Sequence, residues 1–302
     1  MMPATDYDPI AFHDGLVRAG LIVPASVPGV FGRSAVFEDV VARFDAAVAR
    51  LEPADHLVFP PVIDRRILEQ VGYMDSFPQL AGTVHGFTGK ELDARKLSER
   101  IHAGGAWGDA MTITDVALNP AACYPLYPTL PGTVPAHGRV VTMQNWVYRR
   151  EPSPEPTRMQ AFRVREFVAC GAPEMVIGWR DRWLARGVAL LEALGLPARA
   201  DVAADPFFGR GGKMLAASQK ELKLKFEVLV PVISRDEPTA CCSFNYHEAK
   251  FTDAFGIKLP GDALAHTACL GFGLERCAMA LFQTHGFDPG AWPSAVREQL
   301  WS

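Results

Sequence analysis

In HTACLGFGLER, residues 266–276, a cysteine stands two residues ahead of a Gly-Phe-Gly, and an arginine follows three residues after the second glycine. Glycines in such a run let a backbone approach a ligand closely, as around a nucleotide, and the arginine suits a phosphate. A phosphate ligand leaves Cys269 unexplained. A second stretch with chemistry in it runs from Arg149-Arg150-Glu151 through a proline-rich connection to Arg158-Met-Gln-Ala-Phe162-Arg-Val-Arg-Glu166. Strand residues an even number apart share a face, so Arg158, Phe162 and Glu166 can line up as guanidinium, aromatic plate and carboxylate. That order suits a triphosphate, an adenine ring and an amine or other cation. A half-buried strand with solvated charges has the same spacing, and periodicity does not separate the two.

Cysteines occur at 123, 170, 241, 242, 269 and 277, with no Cys-x-x-Cys pair and no secretion signal, so a disulfide framework is not expected. By spacing alone they read as buried free thiols. The adjacent Cys241 and Cys242 fit strand packing, Cys170 and Cys277 fit a core, and the histidines form no metal or triad pattern.

Several elements must position these residues. Residues 35–51 place Val36, Val40, Val41, Phe44, Ala47, Val48 and Leu51 on one helical face. They lead into HLVFPPVI, 56–63, whose two prolines demote it to an edge or interface strand. ILEQVGYMDSFPQL reads as a short helix capped near Gly72, and 111–127 begins as a strand and turns at Asn119-Pro120. GRVVTMQNWVYRRE (138–151) and MQAFRVREFVACG (159–171) form an antiparallel hairpin around PSPEPTR, which its three prolines confine to a loop. A long helix over 172–196 ends at Gly195 and Pro197. A short helix near 213–223, two strands, and a last strand running into the helix after GFG complete the chain. The pattern is α+β with a largely antiparallel sheet; strands and helices do not alternate as a Rossmann fold or TIM barrel requires.

The chain has 302 residues, 49% of them hydrophobic, and a net charge of −4 from 30 basic and 34 acidic residues. That balance argues against a polyanion as main partner, because phosphate contacts supply most of such affinity. No run of 18 apolar residues and no secretory leader is present, so a cytoplasmic protein without a membrane span is expected.

The three stretches together, in this order, resemble the class II aminoacyl-tRNA synthetase catalytic domain. The helix and LVFPPVI, with Pro60, match its first motif, a dimer interface. YRRE…RMQAFRVRE matches the second, which implies Arg149 on the ATP α-phosphate, Glu151 at the adenine edge and Phe162 stacked on the ring. GFGLER matches the third, which implies that Arg276 faces adenine and the γ-phosphate. Within the class the chain is most similar to seryl-tRNA synthetases. Their Thr-x-Glu substrate loop is matched by AACYPL, 121–126, where the glutamate becomes Cys123. The zinc-containing seryl enzymes of methanogens hold their metal with two cysteines and a glutamate, and the matching positions here are Cys123, Glu166 and Cys269. Two thiolates and a carboxylate leave the fourth tetrahedral position of Zn²⁺ open for a substrate α-amine. The family's Mg²⁺-binding glutamate falls near Thr239, so Glu227 becomes the candidate Mg²⁺ ligand. Asn245 is a candidate substrate contact, equally readable as a strand-end turn residue.

What departs from a tRNA synthetase is extent. About 34 residues precede the first-motif helix and about 17 follow the last, which implies a single catalytic domain, 1–302, with an extension at 1–34, a core at 35–285 and no tRNA-binding domain. Such truncated relatives resemble amino acid:[carrier protein] ligases. The resemblance implies adenylation of glycine or alanine and transfer to the phosphopantetheine thiol of a carrier protein by a homodimer, without tRNA. Arg210, Lys213, Lys220 and Lys223 would dock an acidic carrier, though a solvated helix face reads the same. The alternatives are aminoacylation of tRNA or a protein lysine, and a non-catalytic regulatory subunit; the latter would be expected to lose the ATP-contacting arginines.

Overall fold

The computed structural model describes residues 7–301, apart from the side chain of Arg210. A seven-stranded sheet carries the molecule, and its strands are labelled in chain order: β1 Asp55–Leu57, β2 Arg139–Tyr148, β3 Ala161–Gly171, β4 Arg199–Val202, β5 Lys225–Val230, β6 Thr239–Glu248 and β7 His266–Gly273. Across the sheet they run β4-β5-β6-β7-β3-β2-β1. Every neighbouring pair is antiparallel except the β1–β2 edge. Four helices matter here: α1 Ala35–Ala49, α2 Pro173–Ala193, α3 Gly209–Glu221 and α4 Leu274–His285.

The β2–β3 hairpin forms as the alternation predicts, paired from Arg139↔Cys170 to Tyr148↔Ala161. Arg158 lies outside it: the strand begins at Ala161, and Arg158 sits exposed in the connection, paired with Glu155 at 3.1 Å. Three prolines keep that connection out of the ladder, so only Phe162 and Glu166 share the predicted strand face.

Helix α1 is capped by the Ser34 hydroxyl and buries Phe37, Val40, Val41, Phe44, Ala47 and Val48. Phe37, not Val36, heads the buried stripe; its ring meets Phe282 of α4 at 5.5 Å while Val36 stays 48% exposed. The run predicted as one strand over 56–63 splits. Asp55–Leu57 joins the sheet, and Val62–Asp64 joins a separate three-stranded sheet with Thr83–Gly86 and Thr112–Leu118. Pro60 and Pro61 supply no N–H to carry a ladder across the break.

Helices α1, α2 and α4 cover one face of the sheet, where Trp183 of α2 packs on Phe167 at 4.7 Å. Gly187 lets α2 approach that closely, since a Cβ there would stand 2.7 Å from the Phe244 ring. Odd-numbered residues of β3 point into this layer: Arg163 pairs with Glu38 and the fully buried Glu275, and Arg165 pairs with Asp45. Even-numbered residues of β3 therefore face the other side. Register adds their neighbours on that face, with Lys225, Asn245, Cys269 and Val168 in one cross-strand row, and Glu227, Ser243, Gly271 and Glu166 in the next.

Candidate metal centre and nucleotide site

Cys269 on β7 and Glu166 on β3 are diagonal neighbours in these two rows, and the 119–126 loop crosses above them carrying Cys123. The two sulfurs and the carboxylate lie within 4.8 Å of one another, all buried. They are the only such group of three potential metal ligands among the described residues. Gly271 keeps the floor beneath them clear, since a Cβ there would stand 3.0 Å from Val164 and 3.5 Å from Cγ of Glu166.

The site holds its donors in place from outside. The Glu166 carboxylate accepts the backbone N–H groups of Ala122 and Cys123, at 3.1 and 2.9 Å. The Asn245 amide donates to Cys269 Sγ at 3.4 Å, and His247 Nε2 lies 3.4 Å from the same sulfur. His247 is oriented in turn by Thr267 Oγ1, 3.0 Å from Nδ1, and by the Phe251 ring, perpendicular to its own at 4.8 Å. The Tyr127 ring stacks on Phe251 at 4.2 Å, and its buried hydroxyl has no hydrogen-bond partner among the described residues.

Charge is unevenly divided among the three donors. The hydrogen bond from Cys123, with His247 and Asn245, outweighs burial and holds Cys269 well below the usual thiol range. That same hydrogen bond, with burial and the nearby Glu166, pushes Cys123 well above it. Burial, aided by the Cys269 charge, pushes Glu166 up to about 7. One sulfur is thus favoured in its charged form while burial opposes charge on the other two donors, a conflict that a cation bound among them would relieve. The donor types, their mutual distances and the backbone donors that orient Glu166 fit zinc.

On the same face two guanidinium groups lie near the Phe162 ring, with Arg149 Cζ at 5.7 Å and Arg276 Cζ at 5.9 Å from its centroid. Arg276 is anchored by donating to the backbone oxygens of Thr157 and Ala240, both at 2.9 Å, and Arg149 donates to Pro120 O at 3.4 Å. Burial, with the like charge of Arg149, pulls the Arg276 guanidinium down from its ordinary value; an arginine stays cationic all the same. Glu151 is half-buried in the connection after β2.

Other predicted residues fall elsewhere. Glu227 points to this face but its carboxylate is 3.0 Å from the Lys225 ammonium, which a Mg²⁺ ion would have to displace. Lys213, Lys220 and Lys223 are exposed on or just after α3, and the Arg210 side chain lies outside the described residues. Sequence reasoning missed His247 and Tyr127. His247 stands two residues after Asn245 on one strand, so alternation alone would have brought it to the same face.

No protein-family model matches the chain. It is 48% identical over 277 residues to an amino acid–[acyl-carrier-protein] ligase 2 of Bradyrhizobium diazoefficiens, covering 90% of this chain and 83% of that protein. It is 45% identical to ligase 1 of the same organism, covering 90% and 85%. A type-2 serine–tRNA ligase of Methanococcus aeolicus is 25% identical, and the match spans 82% of this chain and half of that enzyme. Among solved structures, M. kandleri SerRS in complex with A. aeolicus tRNASec superposes with a TM-score of 0.81 at 20% identity, over 95% of this chain and 59% of that one. Prolyl-tRNA synthetase from Cryptosporidium parvum gives 0.63 at 13% identity, over 91% and 52%. The fold is therefore that of the class II aminoacyl-tRNA synthetases, and the chain belongs to the amino acid–[acyl-carrier-protein] ligase family.

Proposed function

We propose that the protein activates glycine or alanine with ATP and passes the aminoacyl group to the phosphopantetheine thiol of a carrier protein. The observation that carries this reading is one sheet face bearing both the Cys123–Glu166–Cys269 cluster and the Phe162 ring with the Arg149 and Arg276 guanidinium groups beside it, in a chain 48% identical to an amino acid–[acyl-carrier-protein] ligase. Cys123, Glu166 and Cys269 would hold Zn²⁺, which would offer an open coordination position to a free α-amine.

The chain's own residues position the rest. The Phe162 ring presents an aromatic plate to adenine, with Glu151 at its edge. Arg149 and Arg276 offset charge as a carboxylate oxygen attacks the α-phosphorus and pyrophosphate leaves. ATP enters as its Mg²⁺ complex. The carrier thiol then attacks the carbonyl carbon, releasing AMP and the thiol proton, and no protein nucleophile is required.

Helix α3 supports a protein acceptor. Among its described residues only Gly212 is buried. Met214 and Leu215, with Leu222 just beyond the helix, are 77%, 52% and 58% exposed beside Lys213, Lys220 and Lys223, an apolar strip among cations that suits an acidic carrier. Two copies of the chain would pair through α1 and the adjoining edge, where Val36 and Val58 are 48% and 79% exposed.

The deciding experiment is amino-acid-dependent ATP–pyrophosphate exchange across the twenty amino acids, with zinc measured on the same sample. Carrier loading and tRNA charging are then compared side by side. Exchange with glycine or alanine, about one zinc per chain and loading of a phosphopantetheinylated carrier are expected. Charging of tRNA in place of the carrier would transfer the reading to a minimal tRNA-aminoacylating enzyme. Bound zinc with no exchange would leave a regulatory subunit.

A further inference from the structure

Helix α3 is held to the body of the protein in an unusual way. A helix is normally fixed by an apolar stripe, yet among the described residues of α3 only Gly212 is buried. Its N-terminal end is tied through Phe208, whose N–H donates to Ser76 O at 2.9 Å, and through Phe207, stacked on Phe77 at 5.1 Å. Its C-terminal end is tied where Arg180 donates to Lys223 O at 2.9 Å. Between these ends, one side chain reaches from the helix toward the sheet. Gln219 accepts from the Asp205 N–H at 2.7 Å through Oε1 and donates to Asp205 Oδ2 at 2.9 Å through Nε2. The other carboxylate oxygen of Asp205 accepts from Lys225 Nζ at 2.7 Å.

Lys225 is 7% exposed on β5, and a lysine this buried needs paired charge around it. Asp205 and Glu227 supply it, so the ammonium is charged and fixed. Its strand position matters as well. Lys225 lies directly opposite Asn245, which lies directly opposite Cys269. Two strand spacings, about 10 Å, therefore separate the anchored lysine from the metal-site sulfur.

We propose that the Lys225–Asp205–Gln219 clasp is a positioning device that sets α3 at a fixed distance from the adenylate, so that it governs carrier loading and not amino-acid activation. The inference rests on the carrier reading above. Asp205 feels the Arg149 charge and Lys225 holds Glu227, whereas both side-chain bonds of Gln219 go to Asp205 alone; what Gln219 fixes is where a partner docked on α3 delivers its thiol. A helix released from the clasp keeps its lysines and its apolar strip but presents them at a shifting distance from the site.

The test uses Gln219→Ala, which removes both hydrogen bonds from the helix and leaves Lys225 with its two carboxylates. Lys225→Met and Lys225→Arg are made alongside it. For Gln219→Ala, pyrophosphate exchange is expected within twofold of the parent, the KM for carrier is expected to rise about tenfold, and amide hydrogen exchange over 209–221 is expected to quicken. Lys225→Met also frees the candidate metal ligand Glu227, so it is read by carrier KM and amide exchange alone, both of which should change as in Gln219→Ala, and Lys225→Arg should restore most of the carrier KM. An unchanged carrier KM in Gln219→Ala overturns the proposal. So does a parallel loss of exchange and loading with zinc retained, which would put the clasp inside the activation site. Should the parent protein load no carrier, the functional reading falls first; amide exchange over 209–221 then judges the clasp alone, and unchanged protection in Gln219→Ala would end it.

Discussion

At the scale of single residues, the metal cluster joins groups that mean little apart. Cys123 and Cys269 are 146 positions apart in the chain, and as sequence features they are two more buried thiols. Only the order of three motifs gave them a shared role, because bringing a loop onto a sheet face is a property of the fold and leaves no local periodicity. His247 was legible by alternation from Asn245 but was passed over for lack of a second histidine at ligand spacing. Its place 3.4 Å from Cys269 Sγ, with Thr267 behind it, is that of a group that steadies a ligand from outside. Cys269→Ser should abolish zinc uptake. His247→Ala should weaken zinc affinity about 10- to 100-fold, the usual range for an outer partner, as read by competition against a chromophoric chelator. An unchanged affinity in His247→Ala would reduce the residue to packing. Zinc uptake at pH 7 should also release protons, because the hydrogen bond with Cys269 and burial push Cys123 well above the usual thiol range, and burial with neighbouring charge pushes Glu166 up to about 7. Calorimetry in buffers of different ionisation enthalpy reads that release.

Secondary-structure elements were legible where apolar residues repeat and obscure where they do not. The β2–β3 hairpin and helices α1 and α2 follow their periodicities to within a few residues. The single-residue shift from Val36 to Phe37 reflects which side chain can reach Phe282, a tertiary choice. The helix Glu91–His102 is polar on average and buries none of its residues, so it contributes nothing to the core from which the other elements are legible. Charge was the least legible feature of all. Arg163 reads as one more strand arginine, yet it donates to Glu275 from both its backbone N–H, at 2.7 Å, and its guanidinium, at 2.8 Å, and pairs with Glu38 of α1. Glu275 is fully buried and immediately precedes Arg276. Replacing it by Ala leaves Arg163 short of a partner inside the protein, for which a loss of about 3 kcal/mol is expected. Urea denaturation measures it; a loss below about 1 kcal/mol would mean that Glu38 alone satisfies the arginine.

For the molecule as a whole, sequence pattern gave an α+β class and a largely antiparallel sheet, and the resemblance gave the architecture. Neither alternation nor spacing states that β7 inserts between β6 and β3, although this insertion sets the third motif beside the second. Pairings across about 100 residues are fixed by the packing of α2 and α4 on the far face. Val36 of α1 and Val58 beside β1 are exposed, and a dimer through them should sediment at twice the chain mass of 32.9 kDa. Val58→Asp should shift the equilibrium toward the single chain. Sedimentation as a single chain at micromolar concentration would remove the dimer from the account.

The buried Cys123 and Cys269 sulfurs, within 4.8 Å of each other, have one more consequence. A thiolate held against a thiol is the pair from which peroxide makes a disulfide. Once emptied, this site holds the makings of its own cross-link. A metal bound there would also act as the pair's protecting group: peroxide should cross-link Cys123 to Cys269 in chelator-treated protein and spare them in metal-loaded protein.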